Sequence, residues 1–408
     1  MKKFILLSYS IAGMGGGQMY QRNKLAFMKE KGFDCYIFYA VTGSIVIPDF
    51  FEFEKNCINL LGINPQILSK KKIDTVISTI ESVVGEIDSE CIIECNNKVS
   101  SVWGELIAKK FGCRSIIIIL DEKIGSLDQG MKNFFEFKFN RKELFGAKNE
   151  TFKMIFKKEV PSYYKYEIPF TCSNVVEDIE SELVKKIGNR DLTIGTIGRL
   201  NKAYVWTLVN EVKKFALNHT NYKIQYIMIG DSPNNEDKTR IENLFIDVDN
   251  LELVMLGAMY PIPRSLFSKI DIFVSSAASA RVSAIEKIPT ITIDARDYKA
   301  IGILGVDTNN TVFRNKEAAI DISAVIENLV IEDKYKSLNV KFSGNNSFSS
   351  SKYFEEHLSR LDDAEPVGEY YDIGLEKLSF IRYIEKVILN LFGYDFYQRL
   401  RAKVFQKI

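Results

Sequence analysis

The sequence predicts an α/β protein of two Rossmann-like, doubly wound domains facing a cleft, followed by a C-terminal helical tail. Three observations predict it. An apolar strand, a glycine-marked turn and a helical pattern open the chain at Phe4–Gln18, with Gly13, Gly15, Gly16 and Gly17 in the turn. A second such start lies near the middle, at Leu192–Lys202, where Gly195 and Gly198 precede Arg199 and Lys202. Around both starts, apolar runs alternate with helical patterns, as a parallel sheet with helical crossovers requires.

Taken in order, the first half offers buried strands at Phe4–Tyr9, Tyr36–Ala40, Cys91–Glu94 and Ser115–Leu120. Each is a continuous apolar or β-branched run, the signature of a strand covered on both faces. Helical periodicity falls between them at Met19–Lys31, Ile73–Val84 and Val102–Phe111. Gly32 and Gly112 follow two of these helices, where a left-handed cap is expected. Segment 125–165, rich in Phe, Lys and Tyr, is expected to cover one sheet edge. The second half repeats the alternation, with strands at Leu192–Ile197, Ile224–Ile229, Leu251–Leu256, Ile272–Ser275 and Thr290–Ile293. Its helices are expected at Tyr204–Asn218, Asn235–Leu244, Pro263–Lys269 and about Ala280–Lys287. The expected organisation is a first domain at 1–172, a linker at 173–190, a second domain at 191–360 and a tail at 361–408 that packs back on the body.

The 408 residues suffice for two or three separate cores. A net charge of +1 provides no global field for nucleic acid, so any anion site must be local. The six cysteines lie in or beside apolar runs without metal-ligand spacing, which suits buried thiols and a cytoplasmic protein. Lys2-Lys3 and the short apolar run after them imitate a secretion signal, but the run flows directly into the glycine turn and reads as a core strand. No stretch reaches the roughly 18 apolar residues of a membrane span. The tail pattern Leu375–Ile408 holds six cations against two acids from Ile381 onward, interleaved with aromatics. Two readings stand: a helix packed on the body with a solvated basic face, or a peripheral membrane contact.

Three clusters could carry chemistry. Gly15, Gly16 and Gly17 let a ligand approach the amides of the following helix N-terminus. A dinucleotide site would want a further glycine where Gln18 stands, and an acid after Tyr36–Ala40, so a nicotinamide or flavin cofactor is not expected. Gly198, Arg199 and Lys202 set two cations three residues apart after a strand. Cations oppose the dipole of the helix that follows, which argues for an anionic ligand such as a diphosphate. The third cluster, Ser275–Thr290, places Ser279, Arg281 and Ser283 on a small-residue helix start, a further anion site or a close-packed helix. Carboxylates at strand ends, Glu94, Asp121 and Glu122, are the candidate bases of the first domain, equally open to a structural role. The two histidines, His219 and His357, lie in the second half, and His219 reads as a surface helix cap.

Taken together, these motifs resemble those of the GT-B glycosyltransferases, and are similar to family 4 nucleotide-sugar transferases of bacterial capsular and extracellular polysaccharide synthesis. The resemblance spans about residues 1–330. It rests on Gly15–Gly17, Ile197–Leu200 with Lys202, Ile229–Asp231, Leu256-Gly257, Ser265–Val274 and Pro289–Ile291. It implies a metal-independent hexosyltransferase without a cofactor, taking a nucleotide diphosphate sugar as donor and a saccharide or lipid-linked saccharide as acceptor at the inner face of the cell membrane. By the same resemblance Arg199 and Lys202 hold the donor diphosphate. Gly257, Ala258 and Met259 lie against the nucleobase, and Gly15–Gly17 approach the sugar from the opposite domain. The sequence departs from the family at the third cluster, where two glutamates eight positions apart are usual. Val282 and Ser283 stand where the second belongs, and Glu286 comes a helical turn late. Ser279, Arg281 and Ser283 are the substitutes this implies. An epimerase on the same fold, or a non-catalytic scaffold, would share most of these features.

Overall fold

The computed structural model describes residues 2–120, 127–146, 149–157, 165–168, 172, 174–232, 235–342 and 350–405. The first sheet contains β1 (Lys3–Ser8), β2 (Asp34–Tyr39), β3 (Ile92–Cys95), β4 (Arg114–Ile119) and β5 (Leu144–Gly146), all parallel, in the order β2-β1-β3-β4-β5. The remaining strands are β6 (Val176–Glu177), β7 (Leu192–Ile197), β8 (Ile224–Ile229), β9 (Leu251–Gly257), β10 (Ile262–Pro263), β11 (Ile272–Ser275), β12 (Thr290–Ile293) and β13 (Ala300–Ile303). Six of them form the second sheet, in the order β13-β12-β11-β7-β8-β9, with β13 alone antiparallel. The short β6 pairs with β10.

These strands form where isoleucine-rich runs can be covered on both faces. All six residues of β7 and of β8 are buried. Helices Gly16–Glu30, Lys70–Val84 and Lys98–Phe111 cover the first sheet, and Ala203–Asn218 and Ile322–Val330 pack together over the second. Helix Lys98–Phe111 sits so close to its sheet that a Cβ on Gly104 would overlap the Cys95 sulfur. Gly112 ends that helix in the left-handed conformation, at φ 71°. All six cysteines are free thiols.

In each sheet the chain reverses its winding direction once, between β1 and β3 in the first and between β7 and β11 in the second. Such switch points open a crevice beyond the strands' carboxyl ends, where ligands of doubly wound sheets bind. Within the segment expected to cover an edge, helix Gln129–Asn140 precedes β5, which extends the sheet beside β4. Three-residue β5 is too short to be read from sequence, and β13 is interrupted by Gly302, which breaks its apolar run.

The tail returns to the first unit earlier than the expected boundary at 360. Helix Ser350–Asp362 lies on helix Gly16–Glu30 and buries Phe354 with Phe4, Met19 and Phe27. The last helical segment, Phe380–Phe405, is broken at Gly393 (φ 80°, ψ 178°) where the sequence suggested one continuous helix. It seats Leu389 and Tyr397 in the core formed by Ile5, Leu7 and Trp103. Among the described residues no helix is long and apolar enough to cross a membrane.

Candidate functional site at two switch points

The turn after β7 is built by backbone crossing backbone. The Gly198 amide donates to the Ile229 carbonyl at 2.9 Å, and the Gly230 amide to the Gly257 carbonyl at 2.8 Å. Gly230 sits at φ 144°, and a Cβ there would overlap the Gly198 carbonyl oxygen. A Cβ on Gly198 would overlap the Tyr204 hydroxyl. Gly230 is therefore needed for the turns after β7 and β8 to meet, and Gly198 leaves room for the Tyr204 ring. Out of this crossing come Arg199, half-buried, and Lys202, exposed. Lys202 is the N-cap of helix Ala203–Asn218 without capping it through its side chain. Among the described residues neither Arg199 nor Lys202 has an ion-pair partner.

The β11 turn adjoins it. The Ser275 hydroxyl donates to the Ile197 carbonyl at 2.9 Å, tying the ends of β11 and β7 together. Helix Ala277–Ile285 then starts from Ser276, again without a side-chain cap. Ala277 takes a left-handed φ of 52°, and its amide donates to the Thr311 carbonyl at 2.8 Å. Ser279 and Arg281 stay half-buried, and Arg281 has no ion-pair partner among the described residues. Ser283 does not join them. It is fully buried against the sheet, with its hydroxyl 2.8 Å from that of Thr290 and 3.1 Å from the Ala280 carbonyl. Helical periodicity puts residues 280, 283 and 284 on the packing face, which leaves Ser283 no reach toward a ligand. Glu286 is held in an ion pair with Arg264, which also bonds Asp178 at 2.9 Å.

Gly257 takes φ 72° with open space where a side chain would stand, and Ala258 is half-buried beside it. The Met259 side chain instead turns into the core with Ile197, Ile229 and Phe267, unlike its two neighbours. Buried Asp294, just past β12, is committed internally. It accepts from Arg296 Nη2 at 2.6 Å, from Arg296 Nε at 3.0 Å and from the Arg314 amide at 2.8 Å. Burial favours its neutral form, but the Arg296 bonds and those amides prevail and hold its pKa down at about 2.

The glycine turn of the first unit comes directly against this cationic turn. A Cβ on Gly15 would lie 3.4 Å from Arg199 Nε and 3.3 Å from Gln18 Oε1. Gly15 is the N-cap of helix Gly16–Glu30 and offers no side chain, so the first amides stay open. Gly16 faces Cys172, and Gly17 faces open space. Tyr260 also bridges the units, packing from the β9–β10 loop onto the first unit's core. A lone tyrosine before a proline gives no sequence signal for that role. The same holds for Tyr204 beneath Gly198 and for the Thr311 carbonyl.

Glu94 lies elsewhere than at an open edge. It is fully buried, accepts from the Tyr20 hydroxyl at 2.9 Å and from Asn96 Nδ2 at 3.2 Å, and faces Lys24 Nζ at 3.7 Å. Burial pulls the Lys24 pKa down against the pull of Glu94, and burial with Glu94 pushes the Tyr20 phenol well up. A carboxylate enclosed in this network has no path to a proton in the cleft, which argues for a structural role. Asp121 and Glu122 lie outside the described residues. His357, expected with the second half, is buried in the first unit at 3.5 Å from Lys24 and edge-on to Phe354. His219 terminates helix Ala203–Asn218, stacked on Phe215. Among the described residues no three His, Cys, Asp or Glu side chains converge on a metal-sized site.

The sequence matches no protein-family model and no curated protein. Similarity appears in three dimensions. HepE of Anabaena, in complex with UDP and glucose, has a TM-score of 0.57 at 12% identity, covering 89% of this chain and 100% of HepE. Its complex with UDP-glucose gives the same score and identity, over 88% and 99% of the two chains. A glycosyltransferase from Rickettsia africae has a TM-score of 0.52 at 14% identity, covering 99% of this chain and 98% of that one. The fold is therefore GT-B, two Rossmann-like domains about a cleft.

Proposed function

We propose that this protein moves a sugar from a nucleotide diphosphate sugar to a saccharide or lipid-linked saccharide of a bacterial surface polysaccharide, at the inner face of the cell membrane. One observation carries the reading: Arg199, without an ion-pair partner among the described residues, meets the bare Gly15 turn of the opposite domain. A cation and an uncapped helix N-terminus aimed at one gap suit a ligand with two or more negative charges. The fold shared with HepE, which is seen with UDP-glucose, supports a nucleotide-sugar donor.

In this reading Arg199 and Lys202 hold the diphosphate. Ser279 and Arg281 border it from β11, Gly257 and Ala258 lie beside the base, and Gly15–Gly17 reach the sugar side. As the bond from the anomeric carbon to the phosphate oxygen breaks, that oxygen keeps the electron pair. The growing charge is met by the guanidinium, the ammonium and the open amides. The acceptor hydroxyl supplies the new bond to the anomeric carbon and gives up its proton. Asp121 and Glu122 remain the candidate bases. Two cations already neutralise the leaving group, so the reaction needs no metal ion.

Calorimetric titration with UDP, GDP and dTDP tests the donor site. We expect one diphosphate to bind, and Arg199→Ala to weaken it about tenfold or more, as the loss of a charge-assisted hydrogen bond implies. Unchanged binding in Arg199→Ala would overturn the site. Donor consumption that needs an added glycan separates transfer from epimerisation, which proceeds without one.

A further inference from the structure

We infer that the segment Phe380–Leu391 is a docking surface for a membrane bearing anionic lipid. This goes beyond the donor-site reading and does not rest on it. The helix turns its apolar face away from the core. Phe380, Tyr383, Ile384, Val387 and Leu391 stand at i, i+3, i+4, i+7 and i+11, the spacing of one helix face. Such a stripe normally covers a core. Here all five side chains are exposed, Phe380 at 78% and Leu391 at 71%. Ile381 and Phe392 widen the stripe, and Phe396 extends it beyond the break at Gly393.

The helix is nonetheless firmly held by its opposite face. Leu389 is fully buried, Arg382 pairs with Asp128 at 2.8 Å, and Glu385 accepts from the Tyr397 hydroxyl at 3.0 Å. The apolar stripe is thus presented by a docked helix. A contiguous exposed apolar surface of this kind marks an interaction site.

Charge selects the occupant. Lys386 lies within the segment, Lys377 just before it and Arg399 beyond the break at Gly393, none with an ion-pair partner among the described residues. The helix packs on the turn Pro65–Ile67, which leads within four residues to exposed Lys70 and Lys71, also unpaired among the described residues. An apolar stripe with cations along its helix and on the neighbouring element fits an interface whose acyl chains take the stripe and whose anionic headgroups take the lysines. A second copy of this chain fits worse, because a two-fold contact would bring the basic frame against itself.

Co-sedimentation with vesicles tests this, using phosphatidylcholine alone and phosphatidylcholine mixed with phosphatidylglycerol. The full-length protein should pellet with the mixed vesicles and at least tenfold less with the neutral ones. The triple variant Tyr383→Ser, Val387→Ser and Leu391→Ser changes only exposed side chains and should lose pelleting by tenfold or more. Lys70→Glu with Lys71→Glu should weaken it several-fold while keeping the stripe. Leu391→Trp keeps the surface apolar, and its added fluorescence should shift to the blue on mixed vesicles. The inference is overturned if the parent fails to pellet with mixed vesicles, if it binds both vesicle types equally, or if the triple variant pellets unchanged. It is also overturned if the parent is a concentration-dependent dimer that the triple variant dissolves and shows no lipid binding.

Discussion

The two switch points treat charge in opposite ways. At the first, Glu94 lies inside the protein one residue before the end of β3, facing Lys24, Tyr20 and Asn96. Deeper in the same unit Lys138 lies between Glu105 and Glu143, at 2.9 and 2.6 Å. At the second, Asp294 is spent on Arg296 and Arg314, and Glu286 on Arg264, while among the described residues Arg199, Lys202 and Arg281 keep no acid. The helix starts differ similarly. The helix after β3 is closed by a capping box from Asn97 and Ser100, whereas those after β1, β7 and β11 have no side-chain cap. Buried charge that is already paired serves stability, because breaking a pair leaves the other charge stranded. Cations left without acids beside open amides leave room for an anion from outside.

The largest test of this contrast is Lys24→Met. Stranding Glu94 should cost about 3–5 kcal/mol of stability in urea unfolding, with nucleotide affinity of the folded fraction unchanged. A loss below about 1 kcal/mol would mean the network is not the structural element described. Gly230→Ala probes the backbone crossing that presents Arg199. Strain at φ 144° and overlap with the Gly198 carbonyl should cost on the order of 3 kcal/mol, seen as a lowered Tm. Arg199→Ala should behave in the reverse sense to Lys24→Met, with stability within about 0.5 kcal/mol of the parent and diphosphate affinity down by about 1.5–3 kcal/mol. If it unfolds the protein instead, the two edges do not differ as described.

The smallest effect is a pH dependence. Asp294 has its pKa lowered to about 2 from an ordinary 3.8. A depressed carboxyl contributes stability that is fully present above its unfolded pKa and lost as pH falls toward the folded value. Denaturant midpoints should therefore decline between about pH 4 and pH 2, less steeply in Asp294→Asn than in the parent. Equal slopes would remove Asp294 from the account.

Much of the fold was legible because it depends on local pattern. The bounds of β7, β8, β11 and β12 coincide with their apolar runs, since each run is long enough to be buried on both faces. At the candidate site Gly15, Gly198 and Arg199 stand out in the sequence because a glycine or a cation beside a strand end is itself unusual. Ser283 and Met259 were placed facing the ligand by position in a motif, yet helix phase and core packing turn them inward. Glu94 shows the same limit. A strand-end carboxylate looks available until its partner, Lys24, comes from a helix seventy residues earlier.

The sequence by itself determined two winding α/β units, where each begins, and that one turn is bare while the other is cationic. These follow from periodicity and from single-residue backbone preferences, which act over a few residues. Only the tertiary structure decided which charges are spent and which are free, that the bare turn touches Arg199, and that the last helix turns its apolar stripe outward. Pairing and exposure depend on which side chains meet from distant parts of the chain, and no local pattern encodes that.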